Sequence, residues 1–147
     1  MNLIQHILKE IYLLWYINLV IVDWTSEFDR WWENLESKSD LLSKRIATTV
    51  LAQMKFLTDL ESKPEENMAT LRTVAQSKKH RLWRVSHPYE KDIAVRLIVW
   101  FPPDDAAVVI VALGANKAPM GDIFYDGVAN RADAAIDKWL QETEESE

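Results

Sequence analysis

The sequence predicts an α+β domain: a small antiparallel β-sheet with two N-terminal helices packed on one face and a C-terminal helix. Three observations lead there. Phe28, Trp31, Trp32 and Leu35 recur at i, i+3, i+4 and i+7, the spacing of one helical face, and a second stripe follows at Leu42, Ile46, Val50, Met54, Leu57 and Leu60. Three strand-like runs, residues 81–87, 93–101 and 107–113, then come in close succession, separated by turn-forming residues. In residues 125–141, Val128, Ala132, Ala135, Ile136, Trp139 and Leu140 share one helical face.

Taken in order, residues 19–24 read as a strand by their Val and Ile content, and Thr25 or Ser26 is placed to cap the helix that follows. Ser39 or Asp40 is placed to start the second helix. Pro64 interrupts, and residues 65–79 are polar enough for a loop holding a short helix or an irregular edge strand. Residues 88–92 and 102–105 are turns, so the three later strands form a meander. Residues 107–113 are apolar at every position, as in a strand covered on both faces. The resulting order is β-α-α-β-β-β-α, with helices against one face and the other partly free.

At 147 residues the chain fits one domain, residues 19–141, with an N-terminal apolar extension at 1–18 and an acidic tail at 142–147. Seven tryptophans supply large side chains for its core. The extension reads as an added helix that packs on the domain or a partner, or as the product of an upstream start codon. Its longest nearly apolar run, 11–22, falls short of the roughly 20 residues of a membrane span. No early basic cluster or small-residue cleavage site marks a signal peptide, so a cytoplasmic protein without membrane attachment is expected. The tail, with Glu142, Glu144, Glu145 and Glu147, reads as a frayed, solvated end. There is no cysteine, and His6, His80 and His87 show no compact ligand spacing; neither a metal centre nor another cofactor is expected. The net charge of −6 disfavours non-specific binding to a polyanion.

The segments HRLWRVSHP, IAVRLIVWFPPDDAAVVIVALGANKAP and GDIFYDGVANRADAAIDKWL, in that order, resemble the RelE/HigB-type toxins of bacterial and phage toxin–antitoxin modules, including the phage-derived branch. Such proteins carry an "LWxxR" strand, an "xVRxxxxF" strand, an apolar strand ending at a lysine, and a tyrosine at the C-terminal helix. VDWTSEFDRWWENLE is similar to their opening strand and helix, so the resemblance covers about residues 19–140. It implies a RelE-like fold with the active surface in a concavity of the sheet. It also implies a metal-independent endoribonuclease that cleaves messenger RNA, on or off the ribosome, and that is inhibited by a cognate antitoxin protein.

The implied reaction is attack of a ribose 2′-hydroxyl on the neighbouring phosphorus, which needs a proton acceptor, a proton donor and cations for the developing phosphorane. Arg96 matches the family's strand arginine; it is a scissile-phosphate ligand or one end of a salt bridge to a domain carboxylate. Arg84 stands at the arginine of the first motif, for substrate positioning or a structural ion pair. Lys117 matches the lysine after the apolar strand, and a solvated turn lysine explains it as well. Some relatives carry a second basic residue where Ala118 stands here. Tyr125 matches the family tyrosine. An unperturbed phenol, with a pKa of about 10, is a poor base near neutrality, so stacking on a base suits it unless cations activate it. Phe124 beside it reads as core. His87 and His80 bracket the first arginine strand as candidate acid–base or substrate-binding groups, or as solvated loop histidines. Asp126 is a helix cap or a site carboxylate. The pairs Asp122/Asp126 and Asp133/Asp137 lie at helical spacing, which one solvated helix face explains.

A second reading keeps the fold without catalysis, as a protein-interaction module that has lost the nuclease. Ala118, the negative charge and the lack of a clear acid–base pair favour it. A small-molecule enzyme on another α+β fold has no motif behind it: GxGxxG, GxxxxGK and GxSxG are all absent.

Overall fold

A computed structural model of the chain describes residues 2–5, 7, 20–87, 90–105 and 107–145, with only the backbone of Asp122. Most of the N-terminal extension, His6 and Trp15 included, therefore lies outside the described residues. Of the extension, Leu3, Ile4 and Ile7 are exposed. The domain runs β1 (Ile21–Trp24), α1 (Ser26–Glu36), α2 (Leu41–Thr58), β2 (Leu71–Thr73), β3 (Leu82–Ser86), β4 (Val95–Trp100), β5 (Val108–Asn116), a 3₁₀ segment (Gly121–Asp126) and α3 (Val128–Glu145). The class is α+β, as the sequence predicts.

The sheet has five strands in the order β1-β5-β4-β3-β2, and it is mixed, not antiparallel: β1 runs parallel to β5. The edge strand β2, in the segment read as a loop with an irregular strand, pairs antiparallel with β3. Strands β3, β4 and β5 form the expected meander.

Both helical stripes face the core, but not residue for residue. Thr25 caps α1, its Oγ1 accepting from the Phe28 amide, and Asp40 caps α2 by accepting from the Ser43 amide. In α2, Ile46, Val50 and Leu57 are buried as expected, whereas Leu42 is 41% exposed and Gln53 is fully buried. Gln53 Nε2 donates to the Val95 carbonyl at 3.1 Å, while its Oε1 is buried without a partner among the described residues.

Helices cover both faces, where the sequence had placed them on one. Helices α1 and α2 bury Val22, Val95, Leu97, Val99, Val109 and Val111 on one side. Helix α3 and the 3₁₀ segment bury Ile98, Trp100, Ile110 and Leu113 on the other. An all-apolar strand demands this: with only one face covered, half of the side chains of β5 would meet water. Helix α3 also extends to Glu145, so most of the tail read as frayed is helical.

A β-bulge interrupts the β4–β5 ladder. Val99 pairs with Val111 and Ile98 with Leu113, which leaves Ala112 as the extra residue. Val109 and Val111 accordingly face α1 and α2, whereas Leu113 and Ala115 face the α3 side. Thr25 holds the bulge, its hydroxyl donating to the Ala112 carbonyl at 2.7 Å and its amide to the Val111 carbonyl at 3.1 Å. Beyond the bulge, Gly114 lies under α1. A Cβ there would stand 2.5 Å from Trp31 Cζ3, so only glycine lets the indole pack this close to the strand.

Candidate functional site

Side chains from neighbouring strands meet on the α3 face of the sheet, where the 3₁₀ segment packs. Arg84 and Ser86 on β3 point to the same side as Arg96 on β4, because Ser86 is the cross-strand partner of Arg96 and alternate residues share a face. Ala115, the partner of Arg96 on β5, continues that side toward Lys117, whose amide donates to the Ala94 carbonyl. The 3₁₀ segment then returns over the sheet and delivers Tyr125.

Tyr125 is the centre of the group. Arg84 Nη1 donates to its hydroxyl at 2.9 Å, the Arg84 guanidinium carbon lies 5.6 Å from the ring centre, and Lys117 Nζ lies 5.3 Å from it. Phe124 meets the ring edge-on at 5.0 Å and is itself core, as expected. Tyr125 is only 8% exposed. With its ring covered by two cations and a phenyl group, it has little face left on which a base could stack. The chemistry it offers is the hydroxyl, which accepts from Arg84 and keeps its own proton without an acceptor among the described residues.

Arg96 makes no salt bridge among the described residues. Its Nη1 donates to the Val95 carbonyl at 2.9 Å, and its Nε is buried without a partner. The same carbonyl receives Gln53 from the other face. Arg96 is thus a half-buried cation without a carboxylate partner among the described residues. Arg84 has no carboxylate partner among the described residues either. His87 follows β3 directly, and its Nδ1 is buried and unpartnered. Asp126 ends the 3₁₀ segment and is exposed. The "LWxxR" spacing counted strictly falls on Ser86, opposite Arg96; Arg84 stands one step earlier on the same face.

His80 belongs to a different arrangement. Its Nε2 lies 2.9 Å from Asp137 Oδ1, and its ring packs on Trp100 with centres 4.8 Å apart. The amides of Lys79 and His80 both donate to Asp133, and Lys79 Nζ pairs with Asp137 at 2.8 Å. The Asp133/Asp137 pair is thus a latch that ties the β2–β3 connection to α3, and Asp133 is buried, not solvated. Hydrogen bonds from Lys79 and then His80 hold the Asp137 carboxyl below its ordinary value of 3.8.

Arg72 was missed in the sequence. It lies on β2 directly opposite Arg84 and is exposed on the same side. Its strand is three residues long in a polar stretch, and the only local signal is Leu71 and Thr73 flanking it with the opposite facing.

No family model, curated protein or solved structure matches this chain. Among the described residues, no group of three or more His, Cys, Asp or Glu is gathered as a metal site, and no helix is long and apolar enough to cross a membrane. A separate cavity of about 190 Å³ opens on the α1/α2 side, lined by Trp24, Phe28, Asp29, Trp32, Val50, Leu51 and Met54. It is almost wholly apolar and holds none of the cations.

Proposed function

We propose that this chain is an endoribonuclease of the RelE/HigB type, the toxin of a type II toxin–antitoxin module, acting in the cytoplasm and held in check by a cognate antitoxin. The observation that carries this reading is the convergence of Arg84, Lys117 and Tyr125, drawn from three separate segments, beside an Arg96 that lacks a carboxylate partner among the described residues. The strand and helix order, with the tyrosine delivered just before the last helix, supports a RelE-like description of the fold.

In this mechanism Arg96, Arg84 and Lys117 hold the non-bridging oxygens of the scissile phosphate and stabilise the charge of the phosphorane. The 2′-hydroxyl gives up its proton as it attacks, and His87 is assigned the acceptor role from its place in the sequence alone, one residue past Ser86. The O2′–P bond forms and the P–O5′ bond breaks. Tyr125 donates its hydroxyl proton to the departing O5′, so the products are a 2′,3′-cyclic phosphate and a 5′-hydroxyl. None of these steps calls on a metal.

One observation favours a non-catalytic interaction module instead: Tyr125 is 8% exposed and already engaged by Arg84, which suits a structural clasp. A single experiment separates the two readings. The parent chain, Arg96→Ala and Tyr125→Phe are each induced under tight control in a bacterium, and total RNA is followed by primer extension. Growth arrest with new, discrete 5′-hydroxyl ends in messenger RNA, lost in both variants, is the expected result. Normal growth with intact RNA, at confirmed soluble expression of the parent, overturns the nuclease and leaves the interaction module.

A further inference from the structure

Arg72 and Arg84 stand directly opposite each other on neighbouring antiparallel strands, with side chains on one face. Like charges in that position repel. No carboxylate among the described residues neutralises either of them, in a protein whose net charge is −6. A sheet that keeps such a pair without an acidic neighbour is arranged for an anion supplied from outside.

Register extends the pattern. Arg84 is opposite Ile98, and Arg96 lies two residues further along; Arg96 is opposite Ala115, and Lys117 lies two residues beyond that. Each step moves one strand across and two residues along, about 8 Å from the usual strand spacing and rise. With Arg72 added, the row crosses four adjacent strand positions and spans about 20 Å between backbone positions. That is longer than one phosphodiester needs, and β2 is the sheet edge, so the row opens to solvent at Arg72.

We infer that Arg72, Arg84, Arg96 and Lys117 form a diagonal track for the backbone of single-stranded RNA, in which Arg72 binds a phosphate flanking the scissile one. This rests on the RNA-cleaving reading of the Tyr125 site. A single row of cations, one per strand position, matches one phosphate backbone and not the two of a duplex. Arg72 contributes binding and positioning, not chemistry.

The test uses the full chain with fluorescent, uncleavable 2′-O-methyl RNA: a dinucleotide with one phosphate and a hexanucleotide, titrated by anisotropy over a range of salt. Four proteins are compared: the parent, Arg72→Ala, Arg72→Lys and Arg30→Ala, the last removing an exposed arginine from α1 on the opposite side. Arg72→Ala is expected to weaken hexanucleotide binding about 3- to 10-fold and to lower the slope of log affinity against log salt by about 0.7, the single-strand value for one phosphate contact. Dinucleotide binding stays at the parental level, Arg72→Lys restores the slope, and Arg30→Ala matches the parent. If the parent binds the hexanucleotide and Arg72→Ala behaves as Arg30→Ala does, the track is wrong while the nuclease reading stands. If the parent binds neither RNA, both fall.

Discussion

Replacing Thr25 with valine keeps the shape of the side chain and removes one oxygen that serves two elements at once. That oxygen caps α1 by accepting from the Phe28 amide at 3.1 Å, and it donates to the Ala112 carbonyl at the bulge at 2.7 Å. Loss of a threonine cap costs about 1 kcal/mol. Leaving a buried carbonyl unpaired adds about 1–3 kcal/mol, and Thr25 is 1% exposed, so water does not replace the lost donor. The sum is about 2–4 kcal/mol, which for a chain of this size lowers Tm by about 6–13 °C. Thr25→Ser retains both bonds and loses only a methyl group, at about 1 kcal/mol. Thermal and urea unfolding followed by far-UV circular dichroism measure both variants. A Thr25→Val protein within about 2 °C of the parent, or no more destabilised than Thr25→Ser, would refute the idea that this hydroxyl ties the helix to the bulge.

Tyr125→Phe keeps the ring contacts with Phe124 and the cations and removes only the acceptor for Arg84; stability should change by about 1 kcal/mol while RNA cleavage falls by about 100-fold or more, read in parallel by unfolding and single-turnover assays. Gly114→Ala drives a methyl group into Trp31 and should cost about 1–3 kcal/mol, with a changed near-UV tryptophan spectrum as the local report. Asp137 has a folded-state pKa below its ordinary value of 3.8, so its contribution to stability is present above that value and is lost as pH falls through the lower, folded one. Its side-chain carbon resonance should therefore titrate below pH 3.8, and Asp137→Asn should lower stability most at neutral pH, where the contribution is fully present, and least in acid, which flattens the acid limb of the stability profile.

The helices were legible because their stripes repeat over several turns and their caps, Thr25 and Asp40, are ordinary capping residues at the right places. The meander was legible from its turns. Strand direction was not, because nothing in the local pattern of residues 21–24 distinguishes pairing parallel to β5 from pairing antiparallel to it. The bulge left no trace either: in a run apolar at every position, a change of facing exchanges one aliphatic group for another. Arg84, Arg96, Lys117 and Tyr125 could be named from motif order, but Arg72 could not, since only the pairing of β2 with β3 gives it a direction. His80 and Asp137 looked like independent polar residues because their partnership spans 57 positions of chain.

Ala112 also divides β5 into two lengths of opposite phase. Ahead of it, odd-numbered side chains serve the α1/α2 layer; after it, odd-numbered side chains serve the layer that holds Tyr125, and Lys117 is odd-numbered. The strand thus tolerates exchange of one aliphatic residue for another far better than any change of length. Deleting a single residue between the bulge and Asn116 would leave the hydropathy profile almost unchanged, yet it would bring a different side chain to Tyr125. Among related chains, insertions and deletions in this strand carry more information about function than substitutions do.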